Sequence, residues 1–250
     1  MTPDQAWMPL RAELERWRAA GRTARLWFRD DDAVEPTDAL DRLLKLTRDA
    51  RVPLTLAVIP ASTGNALVDR LSREQHVAVA LHGWSHTNHA AADEKKQELG
   101  GHRPAAIVLG ELRDGYGKLE RLYRQQFIPM LVPPWNRIDQ ALVAELPLLG
   151  LNALSVYGRE KPGGAIRLLN THVDIMNWHG TRGGRPAAEL VAALVAELQS
   201  RPEGDLEPIG ILAHHLVHDA TAWNFLSRLM EETHDHPAVA WTAAPILLQA

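Results

Sequence analysis

The chain has 250 residues, 46% of them hydrophobic, with 27 Lys+Arg against 31 Asp+Glu for a formal net charge of -4, and it has no cysteine. That length and apolar content suffice for one large α/β domain with a sizeable core. The acidic balance and the lack of any Lys/Arg stripe exclude nucleic acid as a partner, and the lack of cysteine excludes disulfides and leaves His, Asp and Glu as the metal-binding side chains.

The first segment is amphipathic and predicted helical over about residues 3–20. It has neither a basic start leading into an apolar signal core nor a membrane-length apolar run, so no membrane span and a cytoplasmic location are expected. Strand-length apolar runs follow at 24–28, 54–58, 77–81, 127–132, 153–156, 173–176, 209–213 and 239–241. Helical patterns lie between them at 37–50, 111–126, 140–149, 186–200 and 219–232. Pro36-Thr37 and Arg185-Pro186 mark starts, and Gly150 marks a stop. Such alternation predicts parallel strands. The fold expected is α/β, a single-domain distorted (β/α) barrel of about seven to eight parallel strands spanning 1–250. The doubly wound alternative lacks a Gly-rich turn after the first strand. The polar stretch 90–104 reads as a surface excursion.

Chemistry-bearing side chains gather at the C-terminal ends of these runs. The first run ends in Arg29-Asp30-Asp31-Asp32, the third in His82-Gly83-Trp84-Ser85-His86 and the seventh in His214-His215. Two imidazoles four residues apart can reach one side of a tight loop, as in divalent metal sites. Adjacent carboxylates in one site repel each other unless a metal ion or a guanidinium such as that of Arg29 lies among them. A metal-dependent site built from several strand ends is therefore predicted. Taken singly, the aspartates could be a helix-capping loop and the histidines a chance spacing.

These motifs, from about residue 26 to 214, resemble the polysaccharide deacetylase family, also described as the NodB-homology or carbohydrate esterase family 4 group. In order they are Asp31-Asp32, His82 to His86, Val132-Pro133-Pro134-Trp135, Asp174 to Trp178 and Leu212-Ala213-His214. The resemblance implies one divalent metal ion, zinc with cobalt, nickel or manganese as alternatives, held by Asp32, His82 and His86. It implies Asp31 as catalytic base and His214 as catalytic acid, the Trp135 backbone N–H as an oxyanion donor, and an N-acylated carbohydrate as substrate. A frame one residue earlier would make Asp30 and Asp31 the base and ligand, and His215 could exchange roles with His214.

Three departures stand out. Gly83 replaces the hydroxyl residue between the histidines, so the loop's hydrogen bond is either lost or supplied by Ser85. Val132 replaces the arginine that orients the base, a task open to Arg29 or Arg137. Asn177 stands where an aspartate orients the catalytic histidine, leaving Asp174 as the candidate partner. The expected function is a metal-dependent deacetylase acting on an amino sugar or glycan precursor. The alternatives are a catalytically silent glycan- or protein-binding relative and a hydrolase of a non-sugar C–N bond. His89 could be a substitute ligand, although a solvated loop position suits it better. Trp84, Trp135 and Trp178 could stack on a sugar, while Trp7, Trp17 and Trp241 are predicted in the core.

Overall fold

The computed structural model describes residues 4–160, 164, 166–205 and 207–249. Its strands are β1 (Ala24–Ala33), β2 (Leu54–Val58), β3 (Val77–His82), β4 (Phe127–Val132), β5 (Ala153–Leu154), β6 (Arg167–Leu168), β7 (Val173–Asp174), β8 (Ile209–Ala213) and β9 (Val239–Trp241). All pair in parallel, in the order β6-β5-β4-β3-β2-β1-β8-β7, with β9 also on β1. The two ends of that order, β6 and β7, are consecutive in the chain. Residues 169–172 join them, with Leu169 N–H and Thr171 N–H donating to Leu154 and Val156, and His172 N–H donating to Gly210. The sheet therefore curls back on itself as a distorted (β/α) barrel.

The helices are α1 (Met8–Ala19), α2 (Asp38–Asp49), α3 (Asn65–Leu71), α4 (Ala105–Leu122), α5 (Gln140–Val143), α6 (Ala187–Gln199), α7 (Ala220–Thr233) and α8 (Ala244–Leu247). Thr37 caps α2 by accepting Leu40 N–H at 3.0 Å, and Asp219 caps α7 by accepting Ala222 N–H at 2.9 Å. Among the described residues no helix is long and apolar enough to cross a membrane.

Strand alternation divides the core in two. Outward residues such as Leu26, Phe28, Leu56, Val79 and Leu81 pack in the main cluster with helical leucines. Inward residues form a second cluster of Trp27, Ala57, Ala78, Ala80, Met130, Val132 and Ala153, joined by Ala244 and Leu247 of α8. Alanines leave room in the interior for the fully buried Trp27, whose indole N–H donates to the Asn170 carbonyl at 3.0 Å. Gly210 permits this arrangement, because a Cβ there would lie 2.5 Å from both the indole nitrogen and that carbonyl.

Several boundaries differ from the sequence expectation. β1 continues past residue 28 to Ala33, since its charged residues find buried partners and the ladder to β2 resumes at Ala33. α4 begins at Ala105 after Pro104, six residues early, because Gly110 and the β-branched Ile107 and Val108 weaken the helical signal of its first turns; it ends at Leu122 rather than 126. The 153–156 and 173–176 runs shorten to two-residue strands, and 140–149 divides into α5 and a 3-10 turn. The excursion at 90–104 is only partly superficial, for Glu98, Leu99 and Gly100 are buried. Trp7 and Trp17 are in the core, and Trp241 packs against it.

Candidate metal and catalytic site

The site lies at the C-terminal ends of β1, β3 and β8. Alternation turns Arg29 and Asp31 into the barrel and Asp30 outward, and a regular strand would send Asp32 outward as well. A bulge between Asp30 and Ala33, with Asp32 at φ 73°, turns Asp32 back so that two successive aspartates share the site. His82 ends β3 facing inward, and the loop after it returns His86 at φ 57°. Left-handed backbone at Asp32, His86, Trp135 and Asn136 costs roughly 1–3 kcal/mol per residue and is concentrated here.

One ligand atom each from Asp32, His82 and His86 lies within 4.8 Å of the others. Asp32 Oδ1 is 3.1 Å from His82 Nε2 and 3.3 Å from His86 Nε2. His82 Nδ1–H donates to the Val132 carbonyl at 2.9 Å, which orients the ring and leaves Nε2 as the atom directed at Asp32 and available to a metal ion. The His86 ring rests on Trp135, centroids 4.3 Å apart. Two imidazole nitrogens and a carboxylate oxygen suit a divalent first-row ion.

Beside this triad, Arg29 Nη2 donates to Asp31 Oδ2 at 3.0 Å, and Arg29 Nε lies 2.9 Å from Oδ1. The same guanidinium donates to Ser155 Oγ at 2.7 Å and Asn136 Oδ1 at 2.7 Å, and it is fully buried. Arg137 instead donates to the Lys96 carbonyl. His214 Nε2 lies 4.0 Å from Asp31 Oδ2, and its ring meets Trp178 edge-on at 4.7 Å. Asp174 accepts the Trp178 indole N–H at 2.8 Å and so supports His214 through that ring. Asn177 joins a turn, its N–H donating to the Gly183 carbonyl. Asp30 and His215 pair on the outward side, where Asp30 accepts both the His215 backbone N–H at 2.8 Å and its Nδ1–H. The three aspartates thus have three separate sets of partners.

Sequence reasoning missed Glu98. Its Oε1 accepts the Ser85 N–H at 2.8 Å and the Ser85 hydroxyl at 3.1 Å, and its Oε2 accepts the Trp84 N–H at 3.2 Å. Ser85 therefore supplies a loop hydrogen bond, but to a carboxylate from the excursion. The available signal was one Glu set before Leu99-Gly100-Gly101 within a charged run. His89 stands outside the triad, its N–H donating to the Gln97 carbonyl.

The electrostatics follow from burial and neighbours. Burial disfavours the Asp32 charge, but His82, His214 and His86 outweigh it and hold the carboxyl well below the usual range. Burial opposes protonation of His82 and His215, yet Asp32 and Asp30 respectively raise them. Burial and the neighbouring His82 lower His86. Burial raises Asp174.

No protein-family profile matches the chain, and no curated protein matches it. Solved structures do. A protein from Mycobacterium smegmatis provisionally named a polysaccharide deacetylase aligns at TM-score 0.67 and 16% identity, over 92% of this chain and 90% of its own. A family 4 carbohydrate esterase from Streptococcus mutans aligns at TM-score 0.61 and 14% identity, over 89% and 85%. The peptidoglycan deacetylase PdaC from Bacillus subtilis aligns at TM-score 0.59 and 14% identity, over 91% of both chains. At these identities the likeness is one of fold, and the chain has the fold of the polysaccharide deacetylases and family 4 carbohydrate esterases.

Proposed function

We propose that the protein is a metal-dependent hydrolase that removes an N-acyl group, an acetyl group foremost, from an amino sugar or glycan precursor. The observation that carries this reading is the convergence of Asp32, His82 and His86 within 4.8 Å beside the Arg29–Asp31 pair. A divalent ion in that triad, zinc by preference, would polarise the acyl carbonyl and acidify a water molecule. Asp31, oriented by Arg29, takes the proton from the attacking water. The Trp135 N–H is the candidate donor to the oxygen that gains charge. His214 protonates the departing nitrogen as the C–N bond breaks, giving a carboxylate and a free amine.

The loss of the third-motif arginine favours a silent binder only if no other guanidinium serves Asp31. Arg29 supplies one. The deacetylase structures in this fold support the substrate class by analogy.

Metal content and acetate release from N-acetylated sugars test the reading together. Wild type should carry about one divalent ion per chain, lost in His82→Ala and His86→Ala, and Asp31→Asn should retain the ion without releasing acetate. Wild type that takes up no zinc, cobalt, nickel or manganese would refute the proposal.

A further inference from the structure

We propose that Glu98 is a positioning residue of the metal site, a buried carboxylate clamp that sets the His82–His86 loop in its ligating conformation. This inference rests on the metal-dependent reading above. Glu98 is 1% exposed, and both its oxygens accept hydrogen bonds from the two residues immediately before His86. These bonds satisfy N–H groups at the point where the chain turns into the left-handed conformation of His86.

The loop is shaped around this carboxylate. Gly83 has φ +56°, and a Cβ there would lie 2.1 Å from Glu98 Oε2 and 2.7 Å from the Pro134 ring. A hydroxyl side chain at that position and the carboxylate at its present place are therefore mutually exclusive. Trp135 holds the ring of His86 while Glu98 holds the backbone before it. Both supports belong to one body: Leu99 bridges to Ile138, the Asp139 N–H donates to the Leu99 carbonyl at 2.8 Å, and Arg103 donates to the Glu98 carbonyl. Arg103 in turn pairs with Glu111 of α4 at 2.8 Å. The clamp is thus anchored to the barrel's helical layer, and outer partners of this kind orient metal ligands.

The test is titration of the metal-free protein with Co2+ alone, followed by its visible absorption, in wild type, Glu98→Gln, Glu98→Ala and Glu94→Gln. Glu98→Ala should bind Co2+ about 10–100-fold more weakly with an altered absorption envelope, the scale seen when outer-shell partners are removed. Glu98→Gln keeps the shape and one acceptor but opposes its amide to the Trp84 N–H, so it should fall between. Glu94→Gln, on the same excursion but paired with His102, should match wild type. A purely structural role for Glu98 would lower the melting temperature and leave the Co2+ spectrum of the folded protein unchanged. Wild-type affinity and spectrum in both Glu98 variants would overturn the clamp alone. Failure of wild type to bind Co2+ or any other of the candidate ions would overturn the clamp and the hydrolase reading together.

Discussion

Arg29 and Asp31, two residues apart on the inward face of β1, form a fully desolvated pair with Nη2 3.0 Å from Oδ2. The guanidinium also binds Ser155 and Asn136, so it ties β1 to the residue that follows β5 and to the loop after β4. The resemblance places a guanidinium at the end of β4, where Val132 stands; here the guanidinium against Asp31 comes from the aspartate strand itself.

Replacing Arg29 therefore has two separable consequences. Arg29→Met strands a buried carboxylate and should destabilise the protein by about 3–5 kcal/mol in urea unfolding. Arg29→Lys retains charge without the fork, leaves Ser155 or Asn136 unserved and should lower acetate release about tenfold or more while metal content stays at the wild-type level. Wild-type rates in Arg29→Lys would mean that the guanidinium geometry does not orient the base.

Asp30 points the other way and holds both donors of His215. His214 and His215 follow β8 directly, and the bonds of His215 to Asp30 fix the chain where His214 leaves the strand end. Asp30→Asn cannot serve both donors with equal strength and should cost about 1–3 kcal/mol of stability. It should also lower the acetate-release rate while leaving metal binding intact, since Asp30 faces away from the triad. Loss of metal from Asp30→Asn would contradict this division of roles.

The sequence made legible those parts of the site that follow strand periodicity. His82 and His214 directly follow continuous apolar runs of strand length, which places both at strand ends. The sequence favours Asp31 and Asp32 over Asp30 and Asp31, but how two neighbours come to share one site was not legible, because alternation predicts opposite faces and a bulge at Asp32 overrides it. Glu98 was hidden for another reason. Its partners are backbone N–H groups distant in the chain, and no side-chain pattern records such a demand. β6 and α3 were missed because elements of two and seven residues carry too few periods to register.

Gly83 offers a steric test that is independent of charge. Gly83→Ala places a methyl group against Glu98 and Pro134 at a positive φ, so it should cost more than about 1 kcal/mol and weaken metal binding. Gly110→Ala is the matched control in α4: nothing lies within 4 Å of its added Cβ, and the substitution should stabilise by about 0.5–1 kcal/mol. Equal effects from the two changes would remove the steric argument.

His218 predicts a specific acid sensitivity. Burial is the first cause that lowers its pKa, to about 4, with help from His215 and His214 against Asp30 and Asp219. The neutral ring is also required geometrically, because Nε2 accepts the His214 backbone N–H at 3.2 Å while the ring meets Trp223 edge-on. The unfolded chain, with histidine near its ordinary value of 6.5, binds a proton that the folded chain refuses. Stability from this group is complete above pH 6.5 and is lost as pH falls toward 4. Between pH 7 and pH 5 the loss should be about 2 kcal/mol, read from urea midpoints at constant slope. His218→Gln can keep an acceptor for the His214 N–H without a titrating ring, so its stability should fall less over that interval. Parallel pH profiles for the two proteins would show that His218 does not remain neutral in the folded state.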